Sequence, residues 1–269
     1  MSESREDGFV CHCPEKYKGT ICEIKKGPCY SDPCLNDAAC VENGDEFKCV
    51  CSDEFQGKLC EKAKVVCKTR NTDILFIIDD SRSVRRSEYE LMKNFIIQLT
   101  NRFNISEDQS RVALIQFSAQ ATTVIKFHFD EYYDKASLTS RINGLQLSDG
   151  SATNTDFALK MAREQIFNGR RGDRSDVRNV IILMTDGESH DNDAAIREAA
   201  LLKTDVSIIA IGVGKGDAQD SEAENGGTFF AFLEDLSSGT DYTFGVSFAR
   251  LDTIIDGVIK AACENLQDT

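Results

Sequence analysis

A mainly parallel α/β sheet behind a small disulfide-rich head is the fold class this sequence predicts, and three observations predict it. The first is the run from Asp73 to Ile78, apolar and β-branched with no turn residue inside it, the pattern of a strand buried on both faces. The second is that strand patterns alternate with helical ones from Asp73 onward, the order that builds a parallel sheet covered by helices. The third is the crowding of nine of the eleven cysteines between Cys11 and Cys60. Cysteine at that density marks a disulfide framework in an oxidising, extracellular setting.

With 269 residues the chain can hold one large domain or a medium domain with small modules attached. A hydrophobic fraction of 41%, no Trp and three Pro exclude a disordered or collagen-like chain. The formal net charge of −14 excludes a duplex-binding surface and leaves soluble partners or divalent cations. Three His and the absence of paired Cys-x-x-Cys units speak against zinc. The opening Met-Ser-Glu-Ser-Arg-Glu-Asp-Gly has no apolar run of the kind a signal peptide needs, so a secreted protein with a truncated start is expected. No stretch approaches the ~20 apolar residues of a membrane span.

The elements follow in order. After the first strand, Ser87-Glu88-Tyr89-Glu90 reads as a capping box, and Leu91, Phe95, Leu99 and Phe103 recur at helical spacing. Arg111–Phe117 is a strand, and Thr122–Phe129 alternates as its antiparallel edge partner. Thr153–Phe167 reads as a helix, Val180–Met184 as a buried strand, Asp193–Lys203 as an Ala-rich helix and Val206–Ile211 as a strand. Tyr242–Phe244 is a short edge strand, and Leu251, Ile254, Ile255, Val258 and Ile259 mark a closing amphipathic helix.

The first strand runs out into Asp79, Ser81 and Ser83, small oxygen-bearing side chains at alternate positions. They fall at the carboxyl end of a sheet, where open α/β folds place their ligands. Oxygen donors suit Mg²⁺, Mn²⁺ or Ca²⁺; the plainer alternative is that they cap the next helix. The Asp-x-Ser-x-Ser pattern resembles the metal-ion-dependent adhesion site of von Willebrand factor type A domains, and the order of elements matches that family from roughly residue 67 to 263. The resemblance implies a doubly wound, Rossmann-like sheet. It extends to Ser151-Ala152-Thr153-Asn154-Thr155, similar to the family's second loop with Thr153 as the ligand, and to Met184-Thr185-Asp186-Gly187, similar to the third with Asp186 as the ligand. The implied ligand set is therefore Asp79, Ser81, Ser83, Thr153 and Asp186. Mg²⁺ is the expected ion, with Mn²⁺ or Ca²⁺ admissible. Such a site leaves the ion under-neutralised and open to a Glu or Asp of a partner protein. It needs no acid, base or nucleophile, so no enzyme is expected.

Residues 29 to 60 hold Cys29, Cys34, Cys40, Cys49, Cys51 and Cys60, and the Cys-x-Cys at 49–51 with the turn before Cys60 resembles an EGF-like module. Spacing alone cannot choose among the possible pairings; the resemblance implies Cys29–Cys40, Cys34–Cys49 and Cys51–Cys60. A domain of roughly 32 residues has too little core to fold without such staples. Residues 9 to 22 repeat the closing half of the pattern, which implies Cys13–Cys22 and leaves Cys11 without a partner in this chain. Lys25-Lys26-Gly27-Pro28 and Glu42 stand where calcium-binding modules carry other ligands, so a spacer without calcium is expected. Cys67-Lys68-Thr69-Arg70 leading into the first strand resembles the opening of a matrilin type A domain, although no heptads follow and an acidic segment, Gly216–Gly227, is added. By the same resemblance Cys67 bonds Cys263, a long loop worth ~5 kcal/mol in the chain-entropy account, and restrains the last helix.

The expected organisation is a partial EGF-like module over 1–24, an EGF-like module over 25–61, a linker over 62–66, the type A domain over 67–264 and a tail over 265–269. The expected function is binding of matrix proteins, collagen or proteoglycan by family resemblance, through the metal site. The alternative is an acidic structural or mineral-associated matrix component. Asn104-Ile105-Ser106 is an N-glycosylation sequon. Arg171-Gly172-Asp173 spells an integrin-recognition tripeptide, for which chance in an Arg/Gly/Asp-rich loop is the simpler reading. Gly212-Val213-Gly214-Lys215-Gly216 lacks a P-loop's Gly-Lys-Ser/Thr and reads as a strand-to-loop turn. Ser189-His190-Asp191 are sequence neighbours and cannot converge as a triad; His12 and His128 have no evident partners.

Overall fold

The computed structural model describes residues 2–5, 8–15, 17–52, 54–65, 71–148, 150–214 and 227–263. The chain divides into two compact units, Met1–Lys64 and Val65–Thr269.

The first unit is a series of short antiparallel ladders: β1 (Ser2–Arg5) with β2 (Gly8–Cys11), β3 (Tyr17–Lys18) with β4 (Ile24–Lys25), β5 (Ala39–Asn43) with β6 (Glu46–Val50), and β7 (Phe55–Gln56) with β8 (Lys62–Ala63). Gly44 turns the β5–β6 hairpin at φ +65°, a left-handed conformation that suits a residue without a Cβ. Bridges join Cys13 to Cys22, Cys29 to Cys40, Cys34 to Cys49 and Cys51 to Cys60, while Cys11 is a free thiol. Among the residues of this unit whose side chains are described, from Cys11 on, the buried apolar ones are Cys49 and Cys60. Its core is thus its disulfides, as expected of a module this small.

The second unit is built on a six-stranded sheet in the order β11-β10-β9-β12-β13-β14. The strands are β9 (Thr72–Asp79), β10 (Arg111–Phe117), β11 (Val124–Phe127), β12 (Arg178–Thr185), β13 (Val206–Gly214) and β14 (Thr243–Ser247). Only β11 is antiparallel to its neighbour. Every residue of β9 is buried, and its side chains alternate between two cores. Ile74, Phe76 and Ile78 pack with α1 (Arg86–Thr100), α2 (Lys135–Asn143) and α6 (Ile255–Cys263). Leu75 and Ile77 pack with α3 (Thr155–Met161), α4 (Asn192–Leu202) and α5 (Thr228–Leu236). Helices on both faces make the sheet doubly wound. No described helix is long and apolar enough to cross a membrane.

Several elements differ from the sequence expectation. The cap of α1 is Arg85, whose backbone N–H donates to Glu88 Oε2 at 2.7 Å; Ser87 lies inside the helix. The helix expected over Thr153–Phe167 is α only to Met161 and ends in a π-helical turn, Ala162–Ile166. Tyr242 belongs to a 3₁₀ turn, Thr240–Tyr242, and the edge strand begins one residue later. Gly212 lies inside β13, where a Cβ would stand 2.4 Å from Leu233 Cδ1 of α5. Its absent side chain lets that helix approach the sheet. Lys215 and Gly216, the acidic segment up to 226, Cys67 of the expected Cys67–Cys263 bridge, and the tail lie outside the described residues.

Candidate metal centre

The strand order reverses between β9 and β12: the chain leaves β9 toward β10 on one side and reaches β12 on the other. A crevice opens at such a switch point, at the carboxyl ends of the two strands. Asp79 ends β9, and Thr185 and Asp186 end and follow β12.

Asp79 is fully buried. The Ser81 N–H donates to its Oδ1 at 2.8 Å and the Thr185 hydroxyl to its Oδ2 at 2.8 Å. Beyond it the oxygens form a chain: Ser81 Oγ lies 2.8 Å from Ser83 Oγ, and Ser83 Oγ donates to Asp186 Oδ1 at 2.7 Å. Burial pushes the Asp79 carboxyl up to about 6, and the negative charge of Asp186 adds to the shift. Two like charges thus face one crevice.

Thr153 arrives on a separate loop fastened at several points. The Arg82 N–H donates to the Gly150 carbonyl at 2.8 Å, and Ser81 bridges to Gly150 in parallel register. The Asn154 N–H donates to the Ser118 carbonyl at 2.9 Å. The Thr153 carbonyl accepts the His190 N–H at 2.8 Å and the Ser189 hydroxyl at 3.5 Å. The structure therefore brings Asp79, Ser81, Ser83 and Asp186 into one hydrogen-bonded array and sets the Thr153 loop beside it through main-chain contacts.

The array suits a hard divalent cation. Adjacent ligands of an octahedral ion at ~2.1 Å lie about 3 Å apart, close to the 2.7–2.8 Å oxygen separations seen along Ser81, Ser83 and Asp186. The donors are all oxygen, and the like charges of Asp79 and Asp186 are what a cation would offset.

One supporting residue escaped sequence reasoning. Asp80 is fully buried; its Oδ2 accepts the Gln116 side-chain amide and, at 3.0 Å, the Ser148 N–H. The same Gln116 amide donates to the Gln146 carbonyl at 2.8 Å. Asp80 thereby ties the first site loop to the segment leading into the second. The doubled Asp79-Asp80 was the available signal: two adjacent carboxylates at the end of a buried strand require two sets of donors.

The remaining sequence signals are placed as follows. Arg171, at φ +49°, sends its guanidinium to Asp130 and Glu131, the Gly172 carbonyl accepts from Arg111, and Asp173 Oδ2 accepts the Gly169 N–H. Arg171 and Asp173 are tied into the fold through their side chains, and Gly172 through its carbonyl. Asn104 is half-buried in the turn between α1 and β10, where its carbonyl accepts the Ser110 N–H at 3.0 Å. That turn is at the amino end of β10, the opposite end of the strands from Asp79. His190 is exposed, and Asp191 caps α4 by accepting the Ala194 N–H. His12 is exposed and His128 half-buried.

The architecture and the site together define a class. The family model for the von Willebrand factor type A domain matches residues 73–245, and that for the EGF-like domain matches residues 29–59. The chain belongs to the von Willebrand factor type A domain family and carries an EGF-like module ahead of that domain. It is similar to Matrilin-3 of Gallus gallus, 35% identical over 162 residues that make up 58% of this chain and 34% of that protein. It is also similar to the collagen alpha-4(VI) chain of Mus musculus, 36% identical over 149 residues, 55% of this chain and 6% of that one. Among solved structures it resembles proximal thread matrix protein 1 from the mussel byssus, in a form described as having a zinc-occupied MIDAS motif. That match has a TM-score of 0.65 and 28% identity and covers 74% of this chain and 49% of the other. The chain spans about a third of the length of the matrilin it matches.

Proposed function

We propose that this is an extracellular matrix or adhesion protein whose type A domain, residues 67–264, binds protein partners of the collagen or proteoglycan kind through a divalent cation. The observation that carries the reading is the convergence of the buried Asp79 and the half-buried Asp186 with the Ser81 and Ser83 hydroxyls at the switch point of the sheet. Asp79, Ser81, Ser83, Thr153 and Asp186 would hold the ion, Mg²⁺ by preference. When bound, the ion supplies an electrophilic position for a carboxylate from the partner. The rest falls to the chain: Thr185 and the Ser81 N–H hold Asp79 in place, Asp80 and Gln116 set the spacing of two loops, and the EGF-like modules present the domain as spacers. Similarity to matrilins and to a collagen VI chain supports a matrix setting, and the mussel protein supports a divalent ion at this position. A glycan on Asn104 would leave the site clear, since it sits at the other end of the strands.

The test is binding of the chain to immobilised collagens and matrix extract in Mg²⁺ and then in EDTA. Loss of binding in EDTA and in Asp79→Ala is the expected result. Binding that survives both would move recognition to another face, and absence of any binding would favour the acidic structural component. Integrin recognition by Arg171-Gly172-Asp173 is checked by cell adhesion to Asp173→Glu; given the internal contacts of Arg171 and Asp173, unchanged adhesion is expected.

A further inference from the structure

We propose that the surface around the metal centre takes a short acidic segment of a partner protein, with one carboxylate at the metal and its acidic neighbours on Arg82, Arg85 and Arg86. This rests on the metal-dependent reading above and adds the partner's chemistry to it.

Arg82 stands between Ser81 and Ser83, so its backbone is part of the site loop. Its N–H is fixed to the Gly150 carbonyl and its side chain is exposed. Arg85 caps α1 with its backbone while its side chain is 74% exposed and only 4.0 Å from Glu88 at its nearest ionic contact. Arg86 follows, also exposed. Neither Arg82 nor Arg86 enters an ion pair among the described residues. Arg163, Arg171 and Arg174, in contrast, are each engaged by an internal carboxylate. Three exposed arginines within five residues, on the first site loop and the start of α1, thus form a local cationic stretch adjoining Ser81 and Ser83 in a chain of net charge −14.

The size of this stretch selects the partner. A long sulfated polysaccharide would run past three arginines onto a strongly acidic molecule and be repelled. A short cluster of Asp and Glu would fit within it. Exposed pairs of this kind are individually weak, so the three together should give roughly a tenfold gain in affinity that salt removes.

The experiment measures fluorescence polarisation of two labelled peptides on the full chain in Mg²⁺, one carrying a single Glu among Gly and Ser, the other a Glu flanked by two Asp on each side. The cluster peptide should bind roughly tenfold tighter at low salt, and that advantage should vanish in about 0.5 M NaCl, where the screening length is about 4 Å. It should also vanish in Arg82→Gln/Arg85→Gln/Arg86→Gln, with Arg86→Gln alone, a single exposed change, losing part of it should the triple variant fold poorly. Equal binding of the two peptides, an advantage that survives the arginine substitutions, or a heparin tetrasaccharide binding tighter than the cluster peptide would each overturn the proposal. Peptide binding indifferent to EDTA would overturn the metal-dependent reading itself, and arginine-insensitive binding that still needs Mg²⁺ would overturn only the role of the arginines.

Discussion

Asp73 and Asp79 stand at the two ends of β9, both fully buried, and their surroundings differ in sign. Arg174 grips Asp73 through Nε and Nη2 and adds its own backbone N–H at 3.1 Å. Burial still raises the Asp73 carboxyl, with Arg174 opposing. Removing the guanidinium in Arg174→Ala would leave a buried charge with one hydrogen bond, a loss of about 3 kcal/mol at neutral pH. The folded pKa then moves further above the unfolded one, so the loss is full above the raised value and fades as pH falls toward the unfolded carboxylate range. Urea unfolding of the variant and the parent at pH 7 and pH 4 checks this, with the smaller difference expected at pH 4. Asp79, in contrast, faces Asp186. Asp79→Asn relieves that repulsion, and Thr185 can turn its hydroxyl from the new amide to the Gly187 carbonyl at 3.0 Å. The variant should therefore melt at or above the parent temperature in EDTA yet gain nothing from Mg²⁺, which differential scanning calorimetry with and without the ion would show.

The site loops depend on how closely their elements approach. At Gly150 a Cβ would stand 1.9 Å from Ser118 Oγ and 2.4 Å from Ser118 Cβ, against the residue whose carbonyl holds Asn154. Gly150→Ala should push the Thr153 loop away from Ser81, costing ~1–3 kcal/mol as overpacking does and lowering Mg²⁺ affinity at least tenfold by isothermal titration. An unchanged affinity would mean that the Thr153 loop does not report on the ion. The same scale shows what was legible. Residues 73–78 announce β9 because burial on both faces demands an unbroken apolar run, and Asp79, Ser81 and Ser83 stand out as candidates because polar residues at its end break that run sharply. α2 was missed because it rests on two buried apolar residues, Leu138 and Ile142, with too few others to show a period. α5 was missed because its Phe-Phe-Ala-Phe-Leu run, which carries Phe232, Leu233 and Leu236 into the core, follows an acidic segment that dominates the local composition. The doubled Asp79-Asp80 signals a second set of donors, but that Gln116 supplies it is not legible, because a tie between segments far apart in sequence leaves no local pattern.

At the scale of the whole molecule, the two units are stabilised by different physics, so they should respond to different perturbations. Among its described residues the first has few buried apolar side chains and four disulfides. The second has two extensive cores on the faces of one sheet. A ligand that binds only the folded state raises stability by mass action, about 2.7 kcal/mol at a hundredfold excess over its dissociation constant. For a domain of this size each kcal/mol moves the melting temperature by about 2–4 °C. Calorimetry of the full chain should therefore show one transition that Mg²⁺ raises by roughly 5–10 °C relative to EDTA and that persists in mild reductant. The signal of the head should ignore Mg²⁺ and be lost on reduction, since breaking a bridge in so small a module costs about 2–5 kcal/mol. If Mg²⁺ moved neither, the buried Asp79 and its hydroxyl neighbours would be a polar crevice without a resident ion. Were it to move the head as well, the EGF-like module would hold a cation of its own, against the reading of Lys25-Lys26-Gly27-Pro28 and Glu42.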